Sequence, residues 1–141
     1  MGKKHTFRGM ATLNLWADDV PAAREWYARL LGVEAYFQRP SSEQPAYVEF
    51  RIGDDEDELG IIDRRFAPPA MQPGPGGPIL HWHVDDIEAT HARLLELGAT
   101  AYDPITKRGD SGFITASVVD PFGNVIGIMQ NPHWAALHAS K

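Results

Sequence analysis

At 141 residues, with a formal net charge of −6 and no cysteine, the chain has the size of one ordinary globular domain and no means of forming disulfides, thiolate chemistry or cysteine-bound zinc. The acidic balance argues against nucleic acid as a partner, and no apolar run approaches the ~18 residues that a membrane-spanning helix needs. The basic start MGKKHTFRGM has no apolar stretch behind it, so no secretory signal is expected and a cytoplasmic location is.

In chain order, TLNLWA alternates Leu13 and Leu15 with Thr12, Asn14 and Trp16, which predicts a strand with one apolar face. Asp19 is placed to cap the helix that follows, Pro21 falls in its tolerant first turn, and Val20, Ala23, Tyr27, Leu30 and Leu31 recur at helical spacing up to Gly32. Three strand-like segments come next: EAYFQR, AYVEFRIG and ELGIID, with the acidic GDDEDE between the last two reading as a solvated turn. RRFAPPAMQPGPGGP, residues 64–78, is too rich in proline and glycine for a helix or central strand and reads as a linker.

The same parts then recur. LHWHVDDIEATHARLLELG repeats the strand, the Asp-Asp cap and the helix, and TAYDP, FITASVVD and NVIGIMQ follow as strands, the last two joined by the turn residues DPFG. The chain is therefore a duplication: one domain over 1–141, with a βαβββ module at 11–63 and a second at 79–132.

Alternation also selects the candidate site. His81 and His83 share one strand face and leave Leu80, Trp82 and Val84 on the other, so they are either a metal pair or the wall of a pocket. Zinc would need a third ligand, for which Glu49 is the evident candidate. The pocket reading is preferred, because polar residues inside apolar strands require partners. Taking Val48, Phe50, Ile126 and Ile128 as helix-facing, the candidate ligand-binding residues are Asn14, Trp16, Tyr47, Glu49, His81, His83 and Met129. No metal ligand, no cofactor and no catalytic residue is assigned.

The segment VVDPFGNVIGI, with DDVPAAREWYARLLG and VDDIEATHARLLELGA, resembles the vicinal oxygen chelate superfamily, the glyoxalase/bleomycin-resistance/dioxygenase proteins, over residues 11–132. The resemblance implies an α+β fold in which two βαβββ modules form a U-shaped, partly closed eight-stranded mixed sheet with the helices outside. It places the metal-ligand positions of the superfamily's enzymes at Thr12, Ile79 and Gly127 and near Ile61, none of which is a ligand. What it implies is a metal-free protein that binds a small, partly aromatic molecule in its cavity. The alternative is an isomerase, lyase or dioxygenase, either metal-free with a His/Glu acid–base pair or with a non-standard metal site at His81 and His83. A homodimer is expected, with Trp134 and Leu137 of the tail NPHWAALH as an apolar patch.

Overall fold

A computed structural model describes residues 6–72 and 74–139; the first five residues of the basic start lie outside them. The first module runs β1 (Thr12–Ala17), α1 (Val20–Leu31), β2 (Phe37–Arg39), β3 (Tyr47–Ile52) and β4 (Asp57–Asp63). The second runs β5 (His81–His83), α2 (Ile87–Glu96), β6 (Thr100–Lys107), β7 (Ile114–Val119) and β8 (Val125–Gln130), and a short α3 (Pro132–Leu137) follows. Each module forms a four-stranded mixed sheet, in the orders β1-β4-β3-β2 and β5-β8-β7-β6, with the first strand parallel to the last. The α+β architecture of two βαβββ units is the one expected, and the strands do not close into a barrel.

The helices begin where their caps place them. The Asp19 carboxylate accepts from the Ala22 N–H at 3.0 Å and the Asp86 carboxylate from the Ala89 N–H at 3.1 Å. Gly32 ends α1 in the left-handed region, φ 74°, and donates its N–H to the Ala28 carbonyl, a conformation that disfavours any residue with a Cβ.

Each helix covers one face of its own sheet. Val48, Phe50, Leu59 and Ile61 are buried beneath α1, and Ala116, Val118, Ile126 and Ile128 beneath α2. Full burial of a side chain such as Phe50 or Ile61 contributes about 2 kcal/mol, and this shared core is the main stabilising term. Its composition corrects one expectation: Ile61 faces the helix, so the residues of β4 on the opposite face are Glu58, Gly60 and Ile62.

Polar contacts join the modules. The Trp26 indole N–H donates to the Leu97 carbonyl at 2.7 Å, and the Tyr27 hydroxyl donates to Asp120, a carboxylate only 3% exposed. Asp120 also accepts from the N–H groups of Phe122 and Asn124 and from the Asn124 carboxamide, so the DPFG turn is built around a buried anion with four donors. The Arg64 guanidinium reaches Asp18 at 3.0 Å and the Phe122 carbonyl at 2.6 Å.

The tail departs from expectation. Asn131 caps α3 by accepting from the Trp134 N–H at 3.0 Å, and Trp134 turns inward, stacked between His83 and His138 at 4.6 and 3.7 Å. Of the expected apolar patch, Trp134 is half-buried, while Leu137 and the neighbouring Ala135 and Ala136 stay exposed.

Candidate functional site

Strand register fixes which side chains share a face. On the side of the first sheet away from α1, Asn14 and Glu49 both oppose Gly60, Trp16 and Tyr47 both oppose Ile62, and Thr12 and Arg51 both oppose Glu58. Gly60 is the floor of this face: a Cβ there would run into Asn14 Oδ1 and would stand 2.9 Å from Tyr47 Cε1. Four of the seven candidate residues, Asn14, Trp16, Tyr47 and Glu49, are thereby brought to one face.

Glu49 is its centre. The hydroxyls of Tyr36 and Tyr47 each donate to one of its carboxylate oxygens. The Arg51 guanidinium lies over the Tyr36 ring, 4.2 Å from the centroid, and 3.9 Å from Glu58, which accepts from the Thr12 hydroxyl at 2.9 Å. Partial burial raises the Glu49 carboxyl above the usual range, and the neighbouring Glu58 charge raises it further, while Arg51 opposes them. Burial and the same Glu58 charge raise the Tyr47 phenol. Tyr36 and Phe37 flank the carboxylate and remain 44% and 41% exposed, an unusual state for adjacent aromatic rings.

Tyr36, Phe37 and Glu58 were not among the candidates. Phe37 reaches the site only because three-residue β2 pairs it with Glu49, and no periodicity is readable over so short a strand.

The other three candidates lie on the second sheet. His81 opposes Gly127 and His83 opposes Met129, on the face away from α2. His81 is exposed, with its ring over Gly127. His83 is engaged on both nitrogens: Nδ1 accepts from the Asn131 N–H at 3.1 Å, which leaves the proton of the neutral ring on Nε2, 3.3 Å from Asp85. Its ring seats Trp134, and His138 beyond Trp134 reaches Asp55 of the first module at 3.0 Å. The Met129 sulfur accepts from the Asn131 carboxamide at 3.8 Å. Together His83, Met129 and Asn131 anchor α3.

The superfamily's metal does not fit these residues. Thr12 is bonded to Glu58, Ile61 is in the core, and a Cβ at Gly127 would stand 2.7 Å from the Leu80 carbonyl, leaving no room for a ligating side chain. Among the described residues there is no group of three or more His, Asp or Glu side chains able to hold a metal ion.

A cavity of about 820 Å³ lies elsewhere, between β1 and β5 on the helix side, and of the seven candidates Asn14, Trp16 and His83 border it.

Known proteins supply the remaining comparison. The sequence profile of the Glyoxalase/Bleomycin resistance protein/Dioxygenase superfamily matches residues 9–128. Similar solved structures include TnmS3, an antibiotic binding protein from Streptomyces sp. CB03234, at 24% identity and a TM-score of 0.65, covering 90% of this chain and 98% of that one. A glyoxalase-related enzyme from Fulvimarina pelagi gives 20% identity and a TM-score of 0.68, covering 89% and 90%. Lactoylglutathione lyase from Agrobacterium tumefaciens gives 20% and 0.65, covering 90% and 96%. No curated protein matches significantly. Sequence profile, duplicated topology and structural likeness agree: the chain belongs to the Glyoxalase/Bleomycin resistance protein/Dioxygenase superfamily.

Proposed function

We propose that the protein binds a small, flat, cationic molecule on the face built around Glu49, without a metal. The observation that carries this reading is a carboxylate held by two phenols among exposed aromatic rings. A planar cation would gain the Glu49 charge at its edge and the faces of Tyr36, Phe37 or Trp16 against its ring, where each cation–π contact is worth about 0.5–2 kcal/mol. The antibiotic binding protein among the structural neighbours is consistent with a ligand-sequestering role.

A homodimer is part of this reading. β6 is an edge strand that exposes Tyr102 and Ile105, and edge strands with apolar side chains invite pairing.

The raised Glu49 carboxyl favours a second reading, an acid–base enzyme using Glu49 as its proton carrier. Its general base would be Glu49 with phenols rather than histidine as neighbours, because His81 and His83 stand on the other sheet.

The test is a fluorescence titration with acridine orange, a planar cation. Saturable binding that weakens at least tenfold in Glu49→Gln and Tyr36→Ala, with unchanged melting temperature, supports the reading. Binding that ignores both substitutions rejects it.

A further inference from the structure

We propose that the cavity between the two modules is a second binding site, distinct from the Glu49 face, which takes a neutral and largely apolar molecule bearing a carbonyl or amide. At about 820 Å³ it has the size of sites that enclose drug-sized ligands. Leu13, Leu30, Trp82, Val84, Leu94 and Ile128 line it, contributed by both sheets and both helices. These are helix-facing residues, on the opposite side of each sheet from Glu49 and His81.

Neutrality follows from the charges at its wall. Arg64 borders the cavity, but its charge is paired with Asp18 through Nε, and its Nη2 donates to the Trp16 and Phe122 carbonyls. The Tyr27 hydroxyl is taken by Asp120. A charged ligand would lose its hydration and meet no unpaired counter-ion among the described residues of the wall.

The polar feature follows from the strand edges. β1 and β5 are the outer strands of their sheets, and among the described residues no strand pairs with either on the cavity side. Both main-chain groups of Trp16 turn away from β4, to the Asn124 carboxamide, so those of Asn14, two residues earlier, turn the same way. On either side of β5, the Val84 N–H and the Leu80 carbonyl bond to β8, so the main chain of His83 is directed to the opposite side. Asn14 and His83 both border the cavity. A ligand with an amide or carbonyl among apolar atoms matches an unextended strand edge beside an apolar floor.

The experiment titrates the full chain with Nile red, a neutral dye with a ring carbonyl. Saturable blue-shifted emission at one dye per chain is expected, undiminished by excess acridine orange. Leu30→Trp and Val84→Phe, which fill the cavity from α1 and from β5, should each weaken dye binding at least tenfold while circular dichroism stays native. Leu95→Trp, the same kind of change on the exposed side of α2, should leave it within twofold. The proposal is overturned by the absence of saturable emission, by emission that survives both filling variants, or by displacement with acridine orange. It is equally overturned if the dye binds only after dilution to monomer, which would assign the cavity to a segment of a second copy.

Discussion

The Asn124 carboxamide holds both main-chain groups of Trp16: its Oδ1 accepts from the Trp16 N–H at 3.1 Å and its Nδ2 donates to the Trp16 carbonyl at 2.9 Å. One side chain from the second module thus stands in for a neighbouring strand at the end of β1, and its Nδ2 also lies 3.0 Å from the buried Asp120 carboxylate.

Asn124→Ala should therefore loosen the contact between modules as well as the DPFG turn. With part-buried main-chain groups left unpaired, a loss of about 1 kcal/mol is expected, read as a lower urea midpoint with an unchanged slope. A change of slope would instead indicate that the modules unfold separately.

Tyr27 offers a sharper test of the same junction. Tyr27→Phe keeps the ring and removes one of four donors to Asp120, at an expected cost of about 2 kcal/mol for a hydrogen bond to a charged group. Burial first, and then the Asp120 charge, raise the Tyr27 phenol well above its ordinary value of 10.0. Since its folded pKa lies above the unfolded one, the associated stability is fully present below pH 10.0 and is lost as pH rises toward the folded value. Alkaline denaturation of the wild type should fall more steeply above pH 10.0 than that of Tyr27→Phe.

How much of this was legible in the sequence differs between fold and site. The duplication, both Asp caps and the apolar alternation of β1, β3 and β8 are local signals, and they placed Asn14, Trp16, Tyr47 and Glu49 on one face. The parity of β4 was not readable, because GIID is apolar on both faces and only pairing with β1 and β3 decides that Ile61 is core. α3 was missed because its six residues hold no helical period, and its inward turn depends on stacking with His83 across the fold.

His91 is the weak point of α2. Its Nε2 is buried without a hydrogen-bond partner among the described residues, an uncompensated desolvation in a helix whose neighbours Ile87 and Leu94 are core. His91→Leu should stabilise the protein by about 1 kcal/mol, seen as a raised melting temperature. An unchanged or lowered melting temperature would mean that the imidazole is satisfied in solution.

The crowding at Gly60 and Gly127 bears on metal. With no room for side chains at either glycine, the protein should purify without stoichiometric zinc, iron, manganese or nickel, and EDTA should leave its melting temperature unaltered. Elemental analysis of freshly purified protein decides this, and a stoichiometric metal lost on His81→Ala would contradict it.

The last prediction uses the raised Glu49 carboxyl. A bound cation favours the ionised form, so affinity for acridine orange should be full at neutral pH and should fall on acidification as Glu49 gains its proton. Because burial and the Glu58 charge raise that group above its ordinary value of 4.5, the midpoint of the loss should lie above 4.5. Glu49→Gln should bind weakly at every pH and remove this inflection. Arg51→Met should shift it upward, because the guanidinium charge lowers the Glu49 pKa. The stability term has the opposite sense: with the folded pKa above the unfolded one, the contribution of Glu49 to folding is greatest below 4.5 and declines as pH rises through the folded value. Acidification should therefore weaken cation binding while this group's own effect favours the fold. Parallel loss of binding and structure on acidification would attribute the pH dependence to unfolding and remove Glu49 from the site.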